Sequence, residues 1–98
     1  MRASIETQAD READAGRTLE DAVLKFPGSP ETWYRLAAFQ LGTLDQPVKA
    51  AQTIQGTLYL DPLSAPARQL FLEARARGRE KLLEAAERRA RRRERSGP

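Results

Sequence analysis

Phe26-Pro27-Gly28-Ser29-Pro30-Glu31-Thr32-Trp33-Tyr34-Arg35-Leu36-Ala37 contains the end of one helix and the start of the next. Pro27 cannot continue a helix, and Gly28 suits a left-handed turn after one. Ser29 is a good N-cap, and Pro30 fits the first helical position, where its missing N–H is no loss. From there Trp33, Leu36, Ala37, Gln40 and Leu41 recur at helical spacing, with Gln40 the one polar member. The stretch predicts a helix–turn–helix junction whose second helix runs from about Pro30 to Leu41.

The same punctuation recurs downstream. Gly42 closes that helix, Asp45 is placed to cap the following one, and Pro47 falls in its first turn. Ala50, Ile54, Thr57 and Leu58 form its apolar stripe, and Asp61-Pro62 ends it after Leu60. Ser64 and Pro66 open a last segment, from about Ala65 to Arg93, with Ala67, Leu70, Phe71 and Ala74 on one face. Beyond Gly78, which marks either a break or a weak point, Leu82, Leu83, Ala85 and Ala86 carry the helical pattern on. Upstream, Ala15, Leu19, Ala22 and Val23 form the stripe of a first helix. β-branched aliphatics are limited to Ile5, Val23, Val48 and Ile54, and no sheet is expected. The fold class is all-α, four or five helices in antiparallel hairpins, with a long charged C-terminal helix.

Composition narrows the chemistry. The 98 residues include no Cys and no His. Thiolate chemistry is therefore absent, as are the usual neutral-pH base and the commonest metal ligand. Asp10, Glu12, Asp14, Glu20 and Asp21 crowd one helix, but no calcium loop or Gly-rich phosphate loop accompanies them. They read as a solvated face, and no enzyme, metal, cofactor or small-molecule substrate is expected. No apolar run approaches the roughly 18 residues needed to cross a bilayer, and residues 1–10 lack a signal-peptide core. The expected compartment is the cytoplasm.

The net charge of +3 conceals a split. Residues 1–74 carry seven Lys and Arg against ten Asp and Glu, whereas residues 75–98 carry ten against four. The chain divides into a helical domain over 1–87 and a basic tail over 88–98.

Two sets of residues share one spacing. Ala15, Leu19, Ala22 and Pro27 are repeated, 35 residues later, as Ala50, Ile54, Thr57 and Pro62. Such a period signals stacked helical units: small residues admit close helix approach, a large one fills the gap, and Pro fixes the turn. Together with Trp33-Tyr34-Arg35-Leu36-Ala37, in which Ala37 stands where Gly is usual, the pattern resembles the tetratricopeptide repeat family. One complete unit spans about Pro30 to Leu63, its inner turn one residue longer than usual. Residues 10–27 match the second helix of a preceding unit, and 65–77 match the first helix of a following one. After Gly78 the pattern gives way to arginines.

The resemblance implies a concave binding surface lined by the first helix of each unit. Glu31, Tyr34, Ala38 and Leu41 would face it, joined by Gln69 and Glu73. Tyr34 is equally at home covering the core edge. Basic pairs that clamp chaperone tails in this family are not matched, since those positions read Tyr34, Ala38, Gln69 and Glu73. Trp33 falls where the family packs its large first-helix residue, and is expected in the core. Leu70-Phe71-Leu72 is more apolar surface than one helix face can hide, so Phe71 and Leu72 are expected to meet a partner, either another protein or a second copy. The leading function is a protein-interaction module, an adaptor or accessory subunit of a larger assembly. The alternative rests on Arg88, Arg89, Arg91, Arg92 and Arg93, which could dock on nucleic acid or an anionic membrane. Against it, no aromatics interleave the run, and Glu73–Arg77, Glu84–Arg88 and Glu87–Arg91 are favourable i, i+4 pairs of a solvated helix.

Overall fold

The computed structural model describes residues 2–95, with side chains described over 9–94. Ile5, one of the four β-branched aliphatics, lies outside the described side chains. Four helices follow one another: α1 (Arg2–Lys25), α2 (Pro30–Gly42), α3 (Pro47–Leu60) and α4 (Ala65–Arg95). Each packs on the next as an antiparallel hairpin; α2 also touches α4, and among the described residues α1 touches α2 alone. Among the described residues no strand occurs.

Pro at the first helical turn starts both α2 and α3. The caps depart from the sequence expectation in three places. Ser29 occupies the N-cap of α2 but makes no side-chain cap; Thr32 Oγ1 instead lies 2.9 Å from the Ser29 carbonyl and 3.1 Å from that of Phe26. Among the described residues no glycine has positive φ, so Gly28 turns the chain without the left-handed region. The left-handed residue is Asp45, at φ 52, and the N-cap of α3 is Gln46. Rather than capping α3, Asp45 binds α4: Lys81 Nζ reaches its carboxylate at 2.8 Å and its carbonyl at 2.7 Å. Ser64 does cap α4, accepting the Ala67 N–H at 3.3 Å.

Ala37, Ala50, Ile54 and Ala67 are wholly excluded from solvent, with Leu41, Leu70 and Ala74 completing the core. α3 lies between α2 and α4, so its small residues are covered from both sides. Two buried polar groups are satisfied within the hairpin. Thr57 Oγ1 donates to the Pro30 carbonyl at 3.1 Å, and Gln40 Oε1 accepts from Thr53 Oγ1 at 2.6 Å.

Trp33 is half-buried rather than fully enclosed. Its indole covers Gly56 so closely that a Cβ there would lie 2.5 Å from the ring. The indole N–H donates to the Pro27 carbonyl at 2.9 Å, tying the α1–α2 turn to the α2–α3 hairpin.

The repeated spacing is not buried equally in its two copies. Ala50, Ile54 and Thr57 are sealed, but Ala15 is exposed and Leu19 and Ala22 are half-buried. Only Val23 of the first stripe is buried. The difference is one of neighbours: α1 is covered by a single helix, whose Phe39 packs against Gly16.

α4 runs 31 residues without interruption through Gly78, about 46 Å at helical rise. Arg77 donates to the Leu41 carbonyl at 3.4 Å, serving the C-terminal end of α2 rather than pairing with Glu73. Beyond Ala85 the described side chains of α4 are all exposed.

Three substitutions test this packing by thermal melting. Gly56→Ala drives a methyl into the indole and should destabilise by about 1–3 kcal/mol. Trp33→Ala should cost about 3 kcal/mol, the low end for a buried aromatic, because the ring is only half-covered. Gly78→Ala should act in the opposite sense. A Cβ there meets Val48 at an ordinary 3.7 Å, so removing a mid-helix glycine should stabilise by about 0.5–1 kcal/mol.

Candidate functional site

The residues expected to line a concave surface, and Phe71 and Leu72, expected to meet a partner, differ in their surroundings. Leu41 does not face a groove: it is 5% exposed and belongs to the core, because its helical position turns it toward α3 and α4. Tyr34 and Ala38 are half-buried and pack against that core. Glu31, Gln69, Leu72 and Glu73 are exposed, with Glu31 paired to Arg35. Phe71 is half-buried against the core, and the Arg75 guanidinium lies 5.6 Å from its ring centre.

Phe71 also belongs to a feature that sequence reading missed. α3 and α4 diverge outward from their shared core and leave a groove between them. At its centre Val48 and Ala51 of α3 face Phe71, Ala74, Gly78 and Leu82 of α4 around a hollow of about 470 Å³. Val48 is 60% and Leu82 69% exposed, although both sit on an otherwise packed seam. Gln52 and Gln55 edge the groove on one side, Arg75 and Arg79 on the other. Toward the α3–α4 turn it continues into a hollow bounded by Leu58, Pro62, Arg68, Phe71 and Leu72. Toward the other end it reaches Pro47, Lys49 and Lys81. Val48 to Leu58 spans about 15 Å of helix, enough to lay three helical turns alongside.

The geometry follows from the sequence locally. Phe71, Arg75, Gly78 and Leu82 are spaced i, i+4, i+7 and i+11, a second stripe beside the core stripe of Ala67, Leu70 and Ala74. That spacing was the available signal for Leu82. Val48 carried no comparable signal, because one exposed valine at a helix start is ordinary until its neighbours are known.

Arg88, Arg89, Arg91, Arg92 and Arg93 are exposed along the projecting end of α4. Among the described residues no group of three His, Cys, Asp or Glu converges as a metal site. No helix among them is long and apolar enough to cross a membrane. In comparisons with known proteins, the chain matches no family model, no curated protein and no solved structure.

Proposed function

We propose that this chain is a protein-interaction module, a short tetratricopeptide-like stack that receives an amphipathic helix of another protein in the α3–α4 groove. The observation that carries this reading is the pair of exposed aliphatics, Val48 and Leu82, at the mouth of an apolar trough about three turns long. A helix presenting aliphatic side chains at i, i+4 and i+7 matches such a trough. Arg75 and Arg79 along one edge favour acidic residues on the flank of that helix. The tetratricopeptide-like assignment draws support from Ala37 packing with Ala50 and Ile54, from the burial of Leu36 and Thr57 at positions the repeat spacing chooses, and from Trp33 seated on Gly56. The module would serve as an adaptor or accessory subunit in the cytoplasm, with no chemistry of its own.

A titration tests the groove. The isotope-labelled protein is mixed with two helical peptides of equal apolar content, one with acidic and one with basic flanks. The acidic peptide should shift the amide resonances of Val48, Gln52, Phe71, Arg75 and Leu82. Val48→Glu should weaken it at least about tenfold without lowering the melting temperature. No shifts along the groove with either peptide would overturn the reading.

A second reading rests on the exposed arginines at the end of α4: docking on nucleic acid or an anionic membrane. Binding of that kind would fall steeply with added salt and vanish on removal of residues 88–98. Groove binding through apolar contacts would survive both changes.

A further inference from the structure

α4 carries a third stripe, on the side turned away from the body. Leu72, Ala76, Arg79, Leu83, Ala86 and Ala90 follow one another at alternating spacings of four and three, a heptad seam over residues 72–90. All six are exposed, Leu72 by 65% and Leu83 by 60%. At 100° per residue this seam lies roughly 150° around the helix from Ala67, Leu70 and Ala74, which face the core. A partner helix can approach it without meeting α2 or α3.

The residues beside the seam say which partner. On one flank stand Glu73, Glu80, Glu87 and Glu94, one per heptad; on the other stand Arg75, Leu82 and Arg89. In a parallel two-stranded coil each flank meets the opposite flank of its neighbour one heptad on, so Arg75 faces Glu80 and Arg89 faces Glu94 of the second copy. In an antiparallel coil each flank would meet itself, setting Glu against Glu and Arg against Arg. A second copy of this chain, run parallel, is therefore self-complementary.

We propose that α4 is a dimerisation helix, pairing with α4 of a second copy as a parallel two-stranded coil along Leu72–Ala90. Alanine at three seam positions lets the helices approach closely, and the two leucines supply most of the apolar contact. Arg79 faces its counterpart within the seam. Its stem is long enough to carry the guanidinium outward, and its presence fixes the register while weakening the pair. Association is accordingly weak, with a dissociation constant on the order of 10–100 µM. The seam borders the α3–α4 groove, since Leu72 and Arg79 of the seam and Arg75 and Leu82 of its flank also line it, so the dimer would narrow each groove on its α4 side. The inference rests on the heptad order of α4 and not on what the groove receives.

Sedimentation equilibrium of the full chain across this concentration range tests it. The wild type should dimerise, and Leu83→Glu should remove the dimer while helicity by circular dichroism is kept. Arg75→Glu alone and Glu80→Arg alone should each weaken self-association at least about tenfold, because each sets like charges together. An equimolar mixture of the two variants should recover dimerisation as a heterodimer, which no loss of folding could produce. A chain that stays monomeric to about 500 µM overturns the proposal. So does a dimer indifferent to Leu83→Glu, or one lost on Val48→Glu, since the second copy would then occupy the groove. Failure of the monomeric Leu83→Glu variant to bind either peptide, with the wild-type dimer intact, would reject the groove reading alone.

Discussion

The close approach of α2 and α3 at Trp33 and Gly56 is the constraint on which the remaining packing depends. A large ring can cover a helix backbone only where no side chain intervenes, and position 56 has none. With the helices held at that distance, Ala37 and Ala50 exclude water completely and Ile54 fills the space left between them. The same ring holds the preceding turn through its N–H to Pro27. Thr57 bonds to Pro30 a short distance away, so both ends of the α2 entry are tied to α3 or to the turn. Small residues here act through geometry: they contribute little apolar area, but they decide how near the larger ones can come.

α4 is anchored to this hairpin by a different kind of contact. Its first turns are held by burial of Ala67, Leu70 and Ala74, and its middle by two cations serving the α2–α3 turn. Arg77 donates to the Leu41 carbonyl near the end of α2, and Lys81 holds Asp45, the one described non-glycine residue with left-handed backbone. Exposed ion pairs contribute little on their own, yet here the Lys81 ammonium also donates to the Asp45 backbone carbonyl. Where these contacts end, the helix continues alone. A helix with no neighbour normally needs good intrinsic propensity, and the Ala, Glu and Arg of residues 79–95 supply it.

The consequence is a molecule with one packed side and several open ones. α2, which touches α1, α3 and α4, is the best-covered element, whereas α1 and α4 each present uncovered faces. On α1 that face is long and mostly polar, with charges of both signs. On α4 it is broad, apolar in two stripes, and bordered by charges in a regular order. Those features favour association with other polypeptide, and the arrangement of charge on α4 favours a copy of itself.

Helix number, helix ends and the core of the central hairpin were legible in the residues because each has a local cause. Pro30, Pro47, Ser64 and Pro62 act within one turn of their own position, and helical periodicity brings Leu36, Ala37, Ala50 and Ile54 to one face whatever lies beyond. Other features depend on how helices far apart in the chain are set against each other, and these had no local signature. Leu41 belongs to the same pattern that would line a groove, and α4 is what encloses it. Asp45 has the composition of a cap, but Lys81, in a different helix, claims its carboxylate. Ala15 and Ala50 occupy equivalent places in the repeat, yet one is exposed and the other sealed, since burial is a property of neighbours and not of spacing. The groove joins Val48 to Leu82 across 34 residues of chain, a proximity created by the α3–α4 packing alone.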